Sequence, residues 1–304
     1  MHFWVILVTF KVVIVRTIYL SVILVGLCLF PLTAQEKRAL LIGIGDYPEE
    51  FGWSKIHGNN DIEIIENTLL FQGFHTNNIK VLIDSAATLH NIVCELEALL
   101  LTAAKNDIVY IQFSGHGQRI TDLNGDEKED GFDEAWIPYD AMKSFVKGIY
   151  EGEKHITDDF LNDYLTRLRF KVGYGGKIIV IADACHSGSG SRGLSDEEEV
   201  YKRGSSESFI IPYDKPNVIR KEKPVDWFFV AACKSYQTNY EYKAEDGNFY
   251  GSLSYSIAKN QGKLMDMKYS EAIDMWNRTM VNITRYPQDI DNEGRPSKNN
   301  NNLF

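Results

Sequence analysis

The chain has 304 residues, 44% of them hydrophobic and 24% charged, and a formal net charge of −10. This is ordinary globular composition with enough chain to bury a sizeable core, in one large domain or two small ones. No basic stripe is present, so a nucleic-acid partner is excluded from the expectations; the acidic surplus would attract basic peptides only mildly. Residues 1–34 read as a signal peptide: Lys11 and Arg16 precede an apolar run at 17–30, and Ala34 is the small residue at a cleavage point. Residues 3–10 are apolar too, so either the charged region is unusually long or the true start lies downstream. The alternative is an uncleaved leader, the one expected route to a membrane. The expected location is the periplasm or outside the cell. Cleavage leaves Cys94, Cys185 and Cys233, an odd number, so at least one is outside any internal disulfide. No C-x-x-C spacing suggests a structural zinc site.

Along the rest of the chain, residues 38–44 form a short apolar run ending in Gly45-Asp46-Tyr47-Pro48, a buried strand and a turn. Residues 60–72 read as a helix with Ile62, Ile65, Leu69 and Leu70 on one face, and residues 79–83 as a second strand. Thr88 caps an amphipathic helix in which Leu89, Ile92, Val93, Leu96, Leu99, Leu100 and Ala103 recur at helical spacing. A strand at 107–113 runs into Ser114-Gly115-His116-Gly117. Thr157 caps a helix through Leu168, and a strand at 177–182 runs into Asp183-Ala184-Cys185-His186-Ser187-Gly188. The composition then changes. Glycine, serine, an acidic run at 196–199 and the basic pair Lys202-Arg203 mark a flexible, exposed linker at 189–224. Beyond it come a strand at 226–232, helices near 249–260 and 269–283, and a loose tail at 297–302.

Strands alternating with helices predict a mostly parallel sheet with helices on both faces, whose site lies beyond the carboxyl ends of the strands. Both short motifs sit at such ends. Side chains two apart on a strand point the same way, so Asp183 is expected to face with Cys185, and Ser114 with His116. A cysteine and a histidine at neighbouring tips make a nucleophile–base pair: the thiolate attacks a peptide carbonyl, and the imidazole takes the thiol proton and returns it to the leaving amine. Backbone N–H groups of Cys185 and Gly117 are candidates for the oxyanion hole. No third, orienting side chain is evident.

The two motifs, in this order, resemble those of metacaspases, within the caspase-like clan CD cysteine peptidases of family C14. The resemblance spans roughly residues 37–290 and includes Asn60-Asp61, Asp130-Gly131-Phe132-Asp133-Glu134, Ile156-Thr157-Asp158-Asp159 and Ala231-Ala232-Cys233-Lys234-Ser235-Tyr236-Gln237. It implies a caspase–hemoglobinase fold, a three-layer α/β/α sandwich. In it, 35–188 is a large-subunit-like part, 189–224 a processing region and 225–304 a small-subunit-like part. It implies Cys185 as nucleophile and His116 as base. Asp61 and Asp183 match positions lining S1, the pocket for the side chain before the cleaved bond, with Ser114 and Ser235 as further polar contacts. Paired carboxylates there favour arginine or lysine, since a bidentate Arg pair compensates both charges. Arg192, Lys202 and Arg203 in the linker are then candidate self-cleavage sites.

No cofactor is required for this chemistry. Calcium is an expected activator by resemblance, with Asp158, Asp159 and Asp130 or Asp133 as ligands, although one further acidic position after the cysteine holds Arg192 or a neighbour. Asp122-Leu123-Asn124-Gly125-Asp126 also begins like an EF-hand loop, without that loop's next glycine or final glutamate. The plain alternatives are that Asp158 and Asp159 are first-turn acids favouring a helix dipole and that the acidic loop is merely solvated. Cys94 reads as packing, and His57, His75, His90 and His155 as ordinary histidines. The expected partners are peptides or proteins with a basic residue before the cleaved bond, and the expected state is a monomer. The rivals are a clostripain- or gingipain-type peptidase with another preference, and an idle binding module on the same fold.

Overall fold

The computed structural model describes residues 35–125, 127, 130–185, 200–212, 226–294 and 302–304. The leader, Asp126, Arg192, the rest of the linker at 186–199 and 213–225, and the tail at 295–301 lie outside the described residues. In chain order the first half contains β1 (Lys37–Gly43), α1 (Asn60–Phe71), β2 (Ile79–Ile83), α2 (Leu89–Thr102), β3 (Ile108–Ser114), β4 (Gly117–Thr121) and β5 (Phe132–Trp136). The second half contains β6 (Ile156–Thr157), α3 (Asp158–Val172), β7 (Lys177–Asp183), β8 (Phe228–Ala231), β9 (Glu241–Lys243), β10 (Phe249–Gly251), α4 (Ser252–Lys259), α5 (Tyr269–Ile283) and β11 (Asp291–Glu293).

Six strands form the central sheet in the order β11-β8-β7-β3-β1-β2. Every pair is parallel except β11 on β8. The two-residue side-chain period sorts the sheet into two cores. Leu40 and Ile42 of β1, Val109 and Ile111 of β3, and Ile178 and Val180 of β7 pack with Ile92 and Leu96 of α2 and Leu161, Leu165 and Leu168 of α3. Ala39, Leu41, Tyr110, Ile179 and Ile181 pack on the other face with Ile62, Ile65 and Leu69 of α1, Leu253 and Ile257 of α4, and Trp276 and Met280 of α5. The fold is thus a caspase-like three-layer α/β/α sandwich.

The expected elements are present with shifted ends. Thr88 caps α2 by accepting from Asn91 N, and Thr157 caps α3 by accepting from Phe160 N. The helix expected from residue 249 starts at Ser252, because Phe249–Gly251 pairs with β9 instead. Just past the expected loose tail, Leu303 is fully buried in the α5 core. Cys94 is exposed rather than packed, two residues from both Ile92 and Leu96 on the buried stripe of α2.

Candidate active site

The register of the central strands fixes where the site lies. Gly43, Ser114 and Asp183 are paired across β1, β3 and β7, so these three strands end in one row. Ser114 and Asp183 close the face that carries α1 and α4. The chain two residues further on delivers His116 and Cys185 to neighbouring tips.

Below this row is a deep acidic pocket, and one arginine fills it. Arg203 is fully buried. Its Nη1 and Nη2 donate to Asp61 Oδ2 and Oδ1 at 2.5 and 3.2 Å, and its Nε donates to Glu241 Oε1 at 3.0 Å. Asp183 Oδ1 lies 3.5 Å from Nη1. The carboxylates are themselves held. Asp61 accepts from Gly251 N at 2.9 Å, and Asp183 accepts from Asn239 Nδ2 at 2.8 Å and from Ser254 N and Oγ at 2.8 and 2.7 Å. Glu241 accepts from His57 N at 2.7 Å, and its Oε2 lies 2.6 Å from His57 Nδ1. Burial works against the charge on Arg203, but Asp61, then Asp183 and Glu241, outweigh it and hold the guanidinium well above its ordinary range. Burial likewise opposes ionisation of Glu241, and Arg203 and then His57 overcome it, leaving that carboxyl below its usual range. Asp61 is pushed up by burial, with Arg203 opposing. Gly251 must be glycine, since a Cβ there would stand 2.4 Å from Arg203 Nη1 and 2.2 Å from Asp183 Oδ2.

The backbone around Arg203 lies in the cleft paired on both sides, with a bend at Ser206–Glu207 where Ser205 Oγ accepts from Glu207 N at 3.1 Å. Cys185 N donates to Arg203 O at 2.6 Å. On the side before Arg203, Arg203 N donates to Asn239 O at 3.0 Å and Glu241 N to Tyr201 O at 3.0 Å, an antiparallel pairing with Lys202 opposite Tyr240. Tyr201 packs against His57 and Phe249, with ring centroids 4.5 and 4.8 Å away. On the side after it, Ser205 N donates to Gly117 O at 3.2 Å and Phe209 N to Arg119 O at 2.7 Å, parallel to β4.

His116 is buried between Trp53, stacked at 4.9 Å, and Tyr47 at 5.0 Å. Its Nε2 lies 2.8 Å from Ser54 O, and a carbonyl can only accept, so Nε2 carries the proton. Nδ1 is therefore the basic nitrogen, and it has no hydrogen-bond partner. Burial pushes the imidazole down to about 4, so it is neutral near pH 7. The Ser54 carbonyl supplies the orienting group that no side-chain motif revealed. The Cys185 thiol donates to Gln237 O at 3.0 Å, and the Cys233 thiol reaches the same carbonyl at 3.5 Å. The hydrogen bond from Cys185, with burial, raises Cys233 well above the ordinary thiol range. No hydrogen bond joins Nδ1 to the Cys185 thiol, which is turned to Gln237 O; the two groups sit at neighbouring strand ends beside a peptide carbonyl whose oxygen is already held by an N–H.

The other expected residues fall as follows. Ser114 Oγ is buried in a network with Gln112 Nε2 at 3.1 Å and Ser254 Oγ at 3.5 Å, beneath Asp183. Ser235 is exposed and shares a shallow surface pocket with Glu134, Cys233, Asp291 and Glu293. The side chains that complete the arginine pocket are Asn239 and Glu241, four and six residues further on. No motif announced them; the one signal was the run that continues into β9 after Gln237. Gly117 meets the bound segment through its carbonyl. Lys202 is half-buried, with its Nζ 5.8 Å from the Tyr240 ring. The exposed linker needs correction at 200–212: Arg203, Ser205 and Phe209 are buried in the cleft. Composition reads that stretch as polar, but one arginine and one phenylalanine anchor it to matching pockets.

The acidic residues assort unevenly. Asp130 is occupied by Arg119 Nη1 at 3.3 Å and by Phe132 N. Asp133 is buried on β5 opposite Ile120. Asp158 Oδ1 is buried without a partner, and burial, then Asp159, Glu127 and Glu134, push this carboxyl up to about 7. Asp159 accepts from Asn124. The orphaned Asp158 oxygen is the one feature a hard cation would use, but no three described His, Cys, Asp or Glu residues are grouped closely enough to hold a metal, so the described residues do not by themselves make a calcium site.

Known proteins agree with this architecture. The curated relatives include Metacaspase-1B of Aspergillus clavatus, 27% identical over 79% of this chain and 65% of its own length. Metacaspase III c of Phaeodactylum tricornutum is 30% identical over 57% of this chain and 48% of its own length, and Metacaspase-7 of Arabidopsis thaliana is 34% identical over 53% of this chain. The chain therefore spans about two thirds or less of the curated relatives it matches. A crystal structure of a Geobacter sulfurreducens protein superposes with a TM-score of 0.57 over 86% of this chain and 95% of that one, at 19% identity, which shows the fold. The caspase-domain family, peptidase C14, matches residues 36–299, and this chain belongs to it.

Proposed function

We propose that the chain is a cysteine endopeptidase that cuts peptides and proteins after arginine, and less well after lysine, and that it is held latent by its own Arg203. The observation that carries this reading is the seating of Arg203, whose guanidinium fills the acidic pocket while its carbonyl oxygen sits 2.6 Å from Cys185 N. In this reading Asp61 and Asp183 recognise the cation, joined by Glu241; a lysine would keep the charge but lose the bidentate pair. An aspartate in the same pocket would face three carboxylates.

The step follows from the groups present. His116 Nδ1 takes the Cys185 proton, and the sulfur attacks the carbonyl carbon of Arg203. The developing oxyanion is held by Cys185 N–H, with the Gly117 N–H as the second proposed donor. His116 then returns the proton to the amide nitrogen of Gly204 as the C–N bond breaks. Water, activated by the same imidazole, releases the acyl group. Cleavage after Arg203 is the proposed self-processing event. Arg192 and Lys202 are the weaker proposals: the first lies outside the described residues, and the second faces Tyr240 rather than the acidic pocket.

Calcium is proposed as an activator at Asp158 and Asp159, as the family resemblance implies, with the orphaned Asp158 oxygen as support and further oxygens needed to complete its coordination; there it would supply positive charge that relieves their mutual repulsion. Export by the leader is proposed from its charge, apolar run and Ala34. A monomer is proposed because β11 covers the edge of β8 in the small-subunit-like part.

The test is hydrolysis of short fluorogenic peptides ending in Arg, Lys or Asp by the full chain, with calcium and with chelator, beside Cys185→Ala. Cleavage in the order Arg above Lys, absent with Asp and absent in the variant, is expected. Equal cleavage by Cys185→Ala, or a preference for Asp, contradicts the reading.

A further inference from the structure

Six residues after Arg203, Phe209 is buried to 1% exposure in a pocket that belongs to no part of the cysteine–histidine machinery. Its ring lies 4.6 Å from that of His155, 5.7 Å edge-on from Tyr150 and 6.2 Å from Phe145, with Ile120 of β4 paired beneath it. Gly152, at a φ of +102°, keeps the floor open, since a Cβ there would stand 3.0 Å from the Phe209 ring.

The approach to the pocket is built as well. Gln118 Nε2 donates to Glu207 O at 2.8 Å. Its Oε1 faces His155 Nε2 at 3.0 Å, and His155 Nδ1 lies 2.9 Å from the Tyr150 hydroxyl. With Gln118 Oε1 accepting, His155 Nε2 donates and Tyr150 donates to Nδ1, so the amide is held with its NH2 toward the bound chain. Thr121 Oγ1 accepts from Ile211 N at 2.9 Å just beyond. The backbone contacts at Gly117, Gln118, Arg119 and Thr121 accept any sequence. The aromatic pocket reads one side chain.

We propose that this pocket is a specificity subsite for protein substrates, taking a bulky apolar, preferably aromatic, side chain six residues after the cleaved bond from a chain laid parallel to β4. The proposal rests on the reading of the cleft as an endopeptidase site that cuts after Arg203, and Phe209 is its intramolecular occupant. Substrates are then recognised on both sides of a basic residue, not only by its preceding residues. The pairing at Phe209 itself, whose N donates to Arg119 O and whose O accepts from Thr121 N, fixes its side-chain direction, so a ring moved by one residue points away from the pocket.

The test uses internally quenched peptides built on Val-Tyr-Lys-Arg-Gly-Ser-Ser-Glu-Ser-Phe-Ile-Ile. Leu, Ala or Asp replaces the Phe, or the Phe is moved one place either way with Ala left at the sixth position. A short Arg-coumarin substrate ends at the cleaved bond. The full chain and Phe209→Ala, whose own segment no longer offers a competing ring, are assayed in parallel. The expected order is Phe above Leu above Ala above Asp, with Phe favoured over Ala by roughly tenfold or more in kcat/KM, and the advantage lost on moving the ring. Equal rates on all long peptides, with the short substrate cleaved, overturn the subsite and leave the endopeptidase reading standing. Failure to cleave even the short substrate overturns both.

Discussion

At the scale of single residues, the pocket is an exercise in matched charge. One guanidinium meets Asp61, Asp183 and Glu241, all at zero side-chain exposure. Removing one buried partner leaves the others misbalanced, which typically costs about 3 kcal/mol or more. Glu241→Gln, which keeps the shape and loses the charge, is therefore expected to lower kcat/KM on Arg substrates on the order of 100-fold, mostly through KM. An unchanged KM would place Glu241 outside recognition. His116 supplies a second expectation. A base must be neutral to act, and burial holds this imidazole down to about 4 while the cleft is filled. Self-cleavage should therefore stay level from neutral pH down to about 5 and fall only as the pH drops through about 4. The same shift costs stability in acid, because the unfolded chain takes up the proton near 6.5 and the folded one does not until about 4. A gel time-course across pH checks this; an acid limb at 6.5 or above would show that burial does not control the base.

At the scale of elements, the first turn of α3 is where the proposed calcium and a proton would compete. Asp158 titrates near 7 in the folded chain against an ordinary 3.8. Its raised value means that stability is greatest in acid and is lost as the pH rises from about 4 through about 7, where the unfolded carboxyl ionises and the folded one resists. A calcium ion needs the ionised form, so the rise in melting temperature with calcium should be larger at about pH 8 than at about pH 5.5, and absent in Asp158→Asn. A calcium shift that is independent of both would exclude this turn. The elements themselves were legible in the sequence because each has an internal signal: the apolar runs of β3 and β7, the stripe of α2, and the caps at Thr88 and Thr157. The two strand-end motifs were legible for the same reason. What escaped was contributed across long chain separations. The Ser54 carbonyl orients His116 from 62 residues away, and Asp61 meets Arg203 across 142. Asn239 and Glu241 owe their place to β9, which is too short to show a period. The ordering of 200–212 escaped because two anchoring side chains, not composition, decide it.

At the scale of the whole molecule, these parts make a caspase-like fold that seats its own Arg203 in a buried acidic pocket. The sheet lines up Ser114 and Asp183, α1 and α4 bring Asp61 and Ser254 to the pocket, and the chain at 239–241 and β4 grip the segment on either side of Arg203. Leaving the cleft requires giving up a buried ion network, so the proposed latency would rest on the same contacts that would bind a substrate. Intact-mass spectrometry of the full chain after incubation with calcium, beside Cys185→Ala and Arg203→Ala, tests this most directly. The account predicts two fragments meeting between Arg203 and Gly204 in the wild type, an uncut Cys185→Ala chain, and loss of that one cut in Arg203→Ala. A wild-type chain cut equally when Arg203 is replaced, or the same fragments from Cys185→Ala, would contradict it.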